Sequence, residues 1–139
     1  MLFAVILGLV AIANAVQTSQ TYKGLEITVS GLERAKRVSL QDCPPGENSV
    51  RGVIRPSEDN EFAVVAIDVQ VSAADDSTEV PQPILHDDAG NAYKTAQSFT
   101  DVASEGAYTC NFSFRVPTGT KVVRFSIDDI SFDVSELEK

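Results

Sequence analysis

The chain contains one histidine, in the stretch His86-Asp87-Asp88-Ala89-Gly90-Asn91. An imidazole next to two carboxylates could serve as a general base or a metal ligand. Catalysis of that kind needs a nucleophile, a base and an orienting group within hydrogen-bond reach, and no G-x-S-x-G or comparable motif supplies the nucleophile. His86 therefore reads more simply as a surface histidine at the end of a strand. Asp87, Asp88 and Asn91 could offer oxygens to Ca²⁺, which takes about six to eight of them. The same residue types around Gly90 also make tight turns, through positive φ and local side-chain hydrogen bonds, and the EF-hand spacing is missing. The turn is the favoured reading and calcium the weaker alternative, so no cofactor is expected.

Cys43 and Cys110 are the two cysteines. Two thiolates and one histidine far away in sequence fall short of the four ligands that zinc usually takes. An even count in an exported chain reads as a disulfide, which would tie the segment "CPPGENS" to the strand around Cys110. Asn111-Phe112-Ser113 is a glycosylation sequon, but it falls inside a strand rather than a loop and reads as a chance match.

The elements that must position these residues follow from a period of two. Successive side chains of a strand point to opposite faces, so a strand covering a core on one side alternates. In "YTCNFSFRVPTG", Tyr108, Cys110, Phe112, Phe114 and Val116 fall on one face and Thr109, Asn111, Ser113 and Arg115 on a wet one. Pro117 and Gly119 end the strand in a turn. The chain returns with Val123, Phe125 and Ile127 inward, which makes a hairpin. Leu25, Ile27 and Val29 predict a strand that Gly31 breaks, followed by a less regular strand over Leu32 to Leu40. Gln41 to Asn60 reads as a long connection with a short strand at Val50 to Ile54. Glu61 to Ser72 is the most apolar strand and should be central. A small hairpin joins Ile84–His86 to Ala92–Lys94, and a last strand covers Ile130 to Val134. About eight short strands between turn signals, with no 3.6-residue repeat, predict an all-β fold: an antiparallel immunoglobulin-like β-sandwich of about seven to nine strands.

The first 15 residues pose a separate problem. "LFAVILGLVAIANA" is an apolar run ending in small residues, as in a secretory signal peptide cleaved after Ala15, although no Lys or Arg precedes Lys23. The run is shorter than the roughly 20 residues of a spanning helix. An uncleaved membrane anchor is the rival reading, and without a following cysteine a lipid anchor is not expected. Residues 16–139 then form one domain. The net charge of −9 disfavours nucleic acid or an anionic membrane surface as a partner.

Three stretches together, "NEFAVVAIDVQVS", "PILHDDAGNAYKT" and "GAYTCNFSFRVPTGTKVVRFSI", resemble the bacterial and archaeal extracellular immunoglobulin-like domains of unknown function that are catalogued under a telomeric repeat-binding-factor label. The resemblance runs from about Tyr22 to Val134. It implies an immunoglobulin-like fold, like that of a secreted mycobacterial immunogen, and a secreted or cell-surface location. It implies no activity, and many members carry a lipobox that this chain lacks.

The expected function is that of an exported, non-enzymatic binding or surface-assembly module for an extracellular protein or envelope component. The alternative is a small inhibitor or stress-protective factor acting on a secreted enzyme or envelope component, with "CPPGENS" as its protruding loop. A hydrolase ranks third, for want of convergent polar groups. If the strands from Glu61 run up and down, the loops Ala73–Pro83 and Gln97–Gly106 share one pole, where Asp75, Asp76, Glu79, Asp101 and Glu105 could meet a cation or a basic partner. A merely solvated pole is the simpler reading. The "DDAGN" and "PTGT" turns should share the other pole with the end of the Gln41–Asn60 connection.

Overall fold

The computed structural model describes residues 19–46, 50–72, 80–100 and 106–137, without the side chains of residues 50 and 51. Ten strands follow one another: β1 (Ser19–Tyr22), β2 (Leu25–Ala35), β3 (Val38–Gln41), β4 (Val50–Ile54), β5 (Asn60–Val71), β6 (Ile84–Asp87), β7 (Ala92–Lys94), β8 (Ala107–Pro117), β9 (Val122–Ile127) and β10 (Ile130–Asp133). They build one four-stranded sheet in the order β1-β2-β5-β8, a second in the order β10-β9-β6-β7, and a two-stranded flap, β3-β4. All strand pairs are antiparallel. The architecture is the expected antiparallel β-sandwich, with the flap added outside it.

β5 is central because both of its edges are paired, with β2 on one side and β8 on the other. Its alternation buries Ala63, Val65, Ile67 and Val69. β8 buries Tyr108, Cys110, Phe112, Phe114 and Val116 on the same face. The two sheets meet there through aromatic rings. Phe125 of β9 lies 6.4 Å from Phe112 and 6.1 Å, edge-on, from Phe114, and 6.0 Å from Phe132 of its neighbour β10. Such offset and edge-to-face pairs are the favoured aromatic geometries. Phe125 is therefore the point at which both sheets hold one core.

Three expectations need correction. Gly31 does not end a strand: the register shifts between Val29 and Gly31, and β2 continues to Ala35. A β-bulge absorbs one extra residue while pairing with β5 resumes beyond it, so a glycine that reads as a break is a bend. The span Leu32 to Leu40 accordingly divides between β2 and the separate strand β3. An additional strand, β1, precedes the first expected one and pairs with Leu25–Thr28.

Ser113 is the third correction. Its place in the alternation predicts a wet position, yet it is 5% exposed. The face opposite the core is covered locally, because Leu40 of the flap and Phe62 of β5 are also buried and line one depression with Ser113 and Arg115. Gly52, with φ of +125°, permits the backbone of β4 a conformation that a residue with Cβ rarely adopts.

The flap is tied to the sandwich by a disulfide between Cys43 and Cys110, with Cα atoms 5.7 Å apart across 67 positions of sequence. Closing a loop of that length stabilises the fold by about 4 kcal/mol on the chain-entropy account. Urea unfolding with and without a reductant checks this. The reduced protein, or the Cys43→Ala/Cys110→Ala variant, is expected to lose most of that free energy, and an unchanged midpoint would show the tether to be energetically idle.

Candidate functional site

β8 is the outer strand of its sheet, and the groups along its free edge need partners. Gln97 supplies them. The chain leaving β7 crosses to the first sheet, where Thr95 forms a bridge with Phe114. Two residues on, the Gln97 side chain is 1% exposed. Its Oε1 accepts the Ser113 backbone N–H at 2.6 Å and the Thr95 hydroxyl at 3.2 Å. Its Nε2 donates to the Asn111 carbonyl at 2.5 Å and to the Gln41 carbonyl of the flap at 2.6 Å. A primary amide has two donors and two acceptor lone pairs, so every valence of Gln97 is used.

The base of the flap is fixed by further bonds to the same crossover. The Cys43 N–H donates to the Ser98 carbonyl and the Thr100 N–H to the Cys43 carbonyl, both at 2.8 Å. Asp42 Oδ1 accepts the Ser98 N–H at 2.8 Å. Disulfide, amide and backbone pairing therefore converge on one seam. Beyond it, Val53 of β4 is 53% exposed, the large apolar side chain left in solvent among the described residues.

The Asp87 turn is a different arrangement from a cation cage. Asp87 is 7% exposed. Its Oδ1 accepts the N–H groups of Ala89 and Asn91, and its Oδ2 accepts the Asn91 side-chain amide and the Tyr93 hydroxyl, at 2.8 to 3.0 Å. Asn91 thus turns a donor, not an oxygen, toward the carboxylate, while Asp88 is exposed and gives its N–H to the Lys121 carbonyl. Hydrogen bonding, chiefly from Asn91, lowers the Asp87 pKa to about 2. The Tyr93 hydroxyl is pushed up by burial and by that carboxylate. Among the described residues no group of three or more His, Cys, Asp or Glu is placed to hold a metal ion.

His86 is half-buried on the outer face of the second sheet. Its Nε2 lies 3.0 Å from Ser126 Oγ, a base and a hydroxyl that sequence spacing did not bring together. Burial, then the neighbouring Arg124 charge, lowers its pKa. Among the described residues no carboxylate is hydrogen-bonded to the imidazole, and Asp87 points to the opposite face of its strand.

The five acids expected at one pole, Asp75, Asp76, Glu79, Asp101 and Glu105, lie outside the described residues. The chain ends that flank those loops do adjoin, since the Val71 N–H donates to the Gly106 carbonyl at 2.9 Å. The β1–β2 turn comes to the same pole, with the Ser72 N–H donating to the Gly24 carbonyl. That turn adds Lys23, and Tyr22 beside it donates to Asp128 of the β9–β10 turn at 3.0 Å. At the other pole the expected turns do meet: the Asp88 N–H reaches Lys121 and the Thr118 N–H reaches the Asp59 carbonyl. Arg34 and Glu61 form an ion pair there at 3.1 Å, and Arg34 also donates to the Thr120 carbonyl.

No protein-family model matches the chain, and no curated protein matches it. Among solved structures the chain is similar to an uncharacterized β-sandwich protein from Clostridium difficile 630, at 13% identity and a TM-score of 0.49, over 84% of this chain and 88% of that one. Among the described residues no helix is long and apolar enough to cross a membrane.

The Asp87 turn carries a pH dependence whose sign follows from its lowered pKa. Above about pH 5, more than a unit over the ordinary Asp value near 3.9, the carboxyl is ionised folded or unfolded, and its contribution to stability is complete. As pH falls toward 2 the unfolded chain binds the proton first, so stability declines through that window and the contribution is gone below it. Urea unfolding measured from pH 6 to pH 2 should show this slope in the native protein and a flatter one in Asp87→Asn, which should also be less stable at pH 6. Parallel profiles for the two proteins would contradict the assignment.

Proposed function

We propose that the chain is an exported, non-enzymatic binding module that presents its β3-β4 flap to a protein partner. The observation that carries this reading is the tethering of the flap. A two-stranded ribbon outside a sandwich is marginal by itself, yet this one is held by the disulfide, by the Gln97 amide and by the pairing of Cys43 with Ser98 and Thr100. A surface ordered before binding loses less conformational freedom when it docks. Among the described residues β4 pairs with β3 alone, so its second edge is available for an extended partner segment. Val53 stands beside that edge as an apolar anchor.

The exported location has its own support. A disulfide in a small β-domain suits an oxidising compartment, since thiols in the cytosol are kept reduced. A second reading uses the same tether. In it the chain is an inhibitor of a secreted enzyme, and the disulfide fixes Cys43 at the start of the segment that would contact the enzyme.

Capture of partners from culture fluid and envelope extract of the source organism tests the flap. The Val53→Asp variant is expected to fold normally, because the side chain is exposed. It should recover its main partner with at least about tenfold lower affinity, as loss of a central apolar anchor implies. Equal capture by the variant and the native domain would sink the reading.

A further inference from the structure

The root of the flap carries a second feature, and it reports on the chemistry of the partner. Leu40, Ile54 and Phe62 line a depression of about 220 Å³ on the outer face of the first sheet. Lys94 and Arg115, both exposed, line the same depression, and the Arg115 guanidinium lies 6.0 Å from the centre of the Phe62 ring. The two cations come from different sheets, β7 and β8. They are brought together by the Thr95 to Phe114 bridge, the same crossover that places Gln97. No carboxylate lines the depression. Neither cation has an ion-pair partner among the described residues, in a chain with 20 Asp and Glu against 11 Lys and Arg. A patch with two unpaired positive charges is therefore opposite in sign to the molecule that carries it.

The size of the depression narrows the occupant. It lies below the roughly 300 to 1,000 Å³ of sites for drug-sized ligands, and corresponds to a single bulky side chain. Its lining includes Ile54, the last residue of β4, a strand that among the described residues pairs with β3 alone. Extended segments that add to a sheet edge place alternate side chains in neighbouring pockets. We infer that the depression receives one aromatic or aliphatic side chain of an acidic, extended segment of the partner protein, whose flanking carboxylates face Lys94 and Arg115. This rests on the flap being the binding surface. The apolar contact supplies most of the affinity, while the charges steer the encounter and select against basic segments. Binding therefore weakens as salt is raised, because both cations are exposed.

The test uses three acetylated, amidated peptides, Gly-Asp-Phe-Asp-Gly, Gly-Lys-Phe-Lys-Gly and Gly-Asp-Gly-Asp-Gly, and free phenylpropanoate, titrated into the full domain while backbone amide shifts are followed. The acidic phenylalanine peptide should shift Leu40, Ile54, Phe62 and Arg115, and the other two peptides should leave them in place. The variant Lys94→Glu/Arg115→Glu, with an unchanged amide spectrum elsewhere, should bind that peptide about tenfold more weakly. No shifts with the acidic phenylalanine peptide, shifts confined to another surface, equal binding of the basic peptide, or full binding by the double variant would each overturn the inference. Phenylpropanoate binding as tightly as the peptide would assign the depression to a small amphipathic acid and also overturn it. A captured partner that is lost by Val53→Asp but kept by Lys94→Glu/Arg115→Glu would overturn this inference alone and leave the flap reading standing.

Discussion

The free edge of β8 is the constraint on which the rest of the molecule depends. Its other edge is paired with β5 from Ala107 to Pro117, so the sheet stops there with backbone groups facing outward. Open edges invite pairing with other chains, and buried backbone groups need partners. Asn111 O and Ser113 N stand two residues apart on that edge, and one amide side chain has the complementary acceptor and donor. Gln97 thus does for β8 what a peptide unit of a neighbouring strand would do. Its remaining donor reaches Gln41, so the same side chain that closes the sheet holds the flap. Replacing it by an apolar residue would leave Ser113 and two carbonyls short of partners, which is costlier than the loss of an exposed bond.

The other side of the sandwich is closed by different means. Gln20 of β1 donates to the Ser131 carbonyl of β10, and Tyr22 reaches across to Asp128. Both edges of the sandwich are therefore bridged by side chains rather than by continuous ladders. The consequence for function is an asymmetry. One side carries a short polar closure, whereas the β8 side carries a crossover, a disulfide and a projecting ribbon with an exposed valine and two unpaired cations nearby. The proposed recognition surface lies on this second side, where the disulfide and the Gln97 amide hold the base of the flap.

Legibility in the sequence followed the period of two. The core faces of β5 and β8 were readable because every inward position is apolar and every turn is marked by Gly, Pro or Asp, and the pairing of Cys43 with Cys110 followed from an even cysteine count. On β9 the strict alternation put Val123 inward with Phe125 and Ile127, whereas the core residue is Val122, opposite Asp87 where the register with β6 shifts. Gly31 misled because a bulge and a break leave the same residue in the sequence, and only the register with β5 tells them apart. Ser113 misled because its cover comes from the flap, about 60 to 75 positions earlier in the chain, which no local pattern announces. Gln97 was missed for a related reason. A glutamine between polar neighbours looks like loop, and its role exists only once Asn111, Ser113 and Gln41 surround it. The one available signal was negative: β8 alternates strongly enough to be a covered strand, while the sequence offers no further strand to lie beside it. The approach of Lys94 to Arg115 was equally hidden, since it depends on the crossover between sheets.

Native-state hydrogen exchange of the Ser113 amide tests most directly whether one side chain closes this edge. In the native protein Ser113 should exchange about as slowly as Ile67, which lies on the central strand. In Gln97→Leu, after correction for any change in global stability, Ser113 should exchange at least about tenfold faster, and the Cys43 and Thr100 amides at the base of the flap should lose protection with it, while Ile67 stays protected. Unchanged relative protection of Ser113 in the variant would contradict the account, because the edge would then be closed by something other than Gln97.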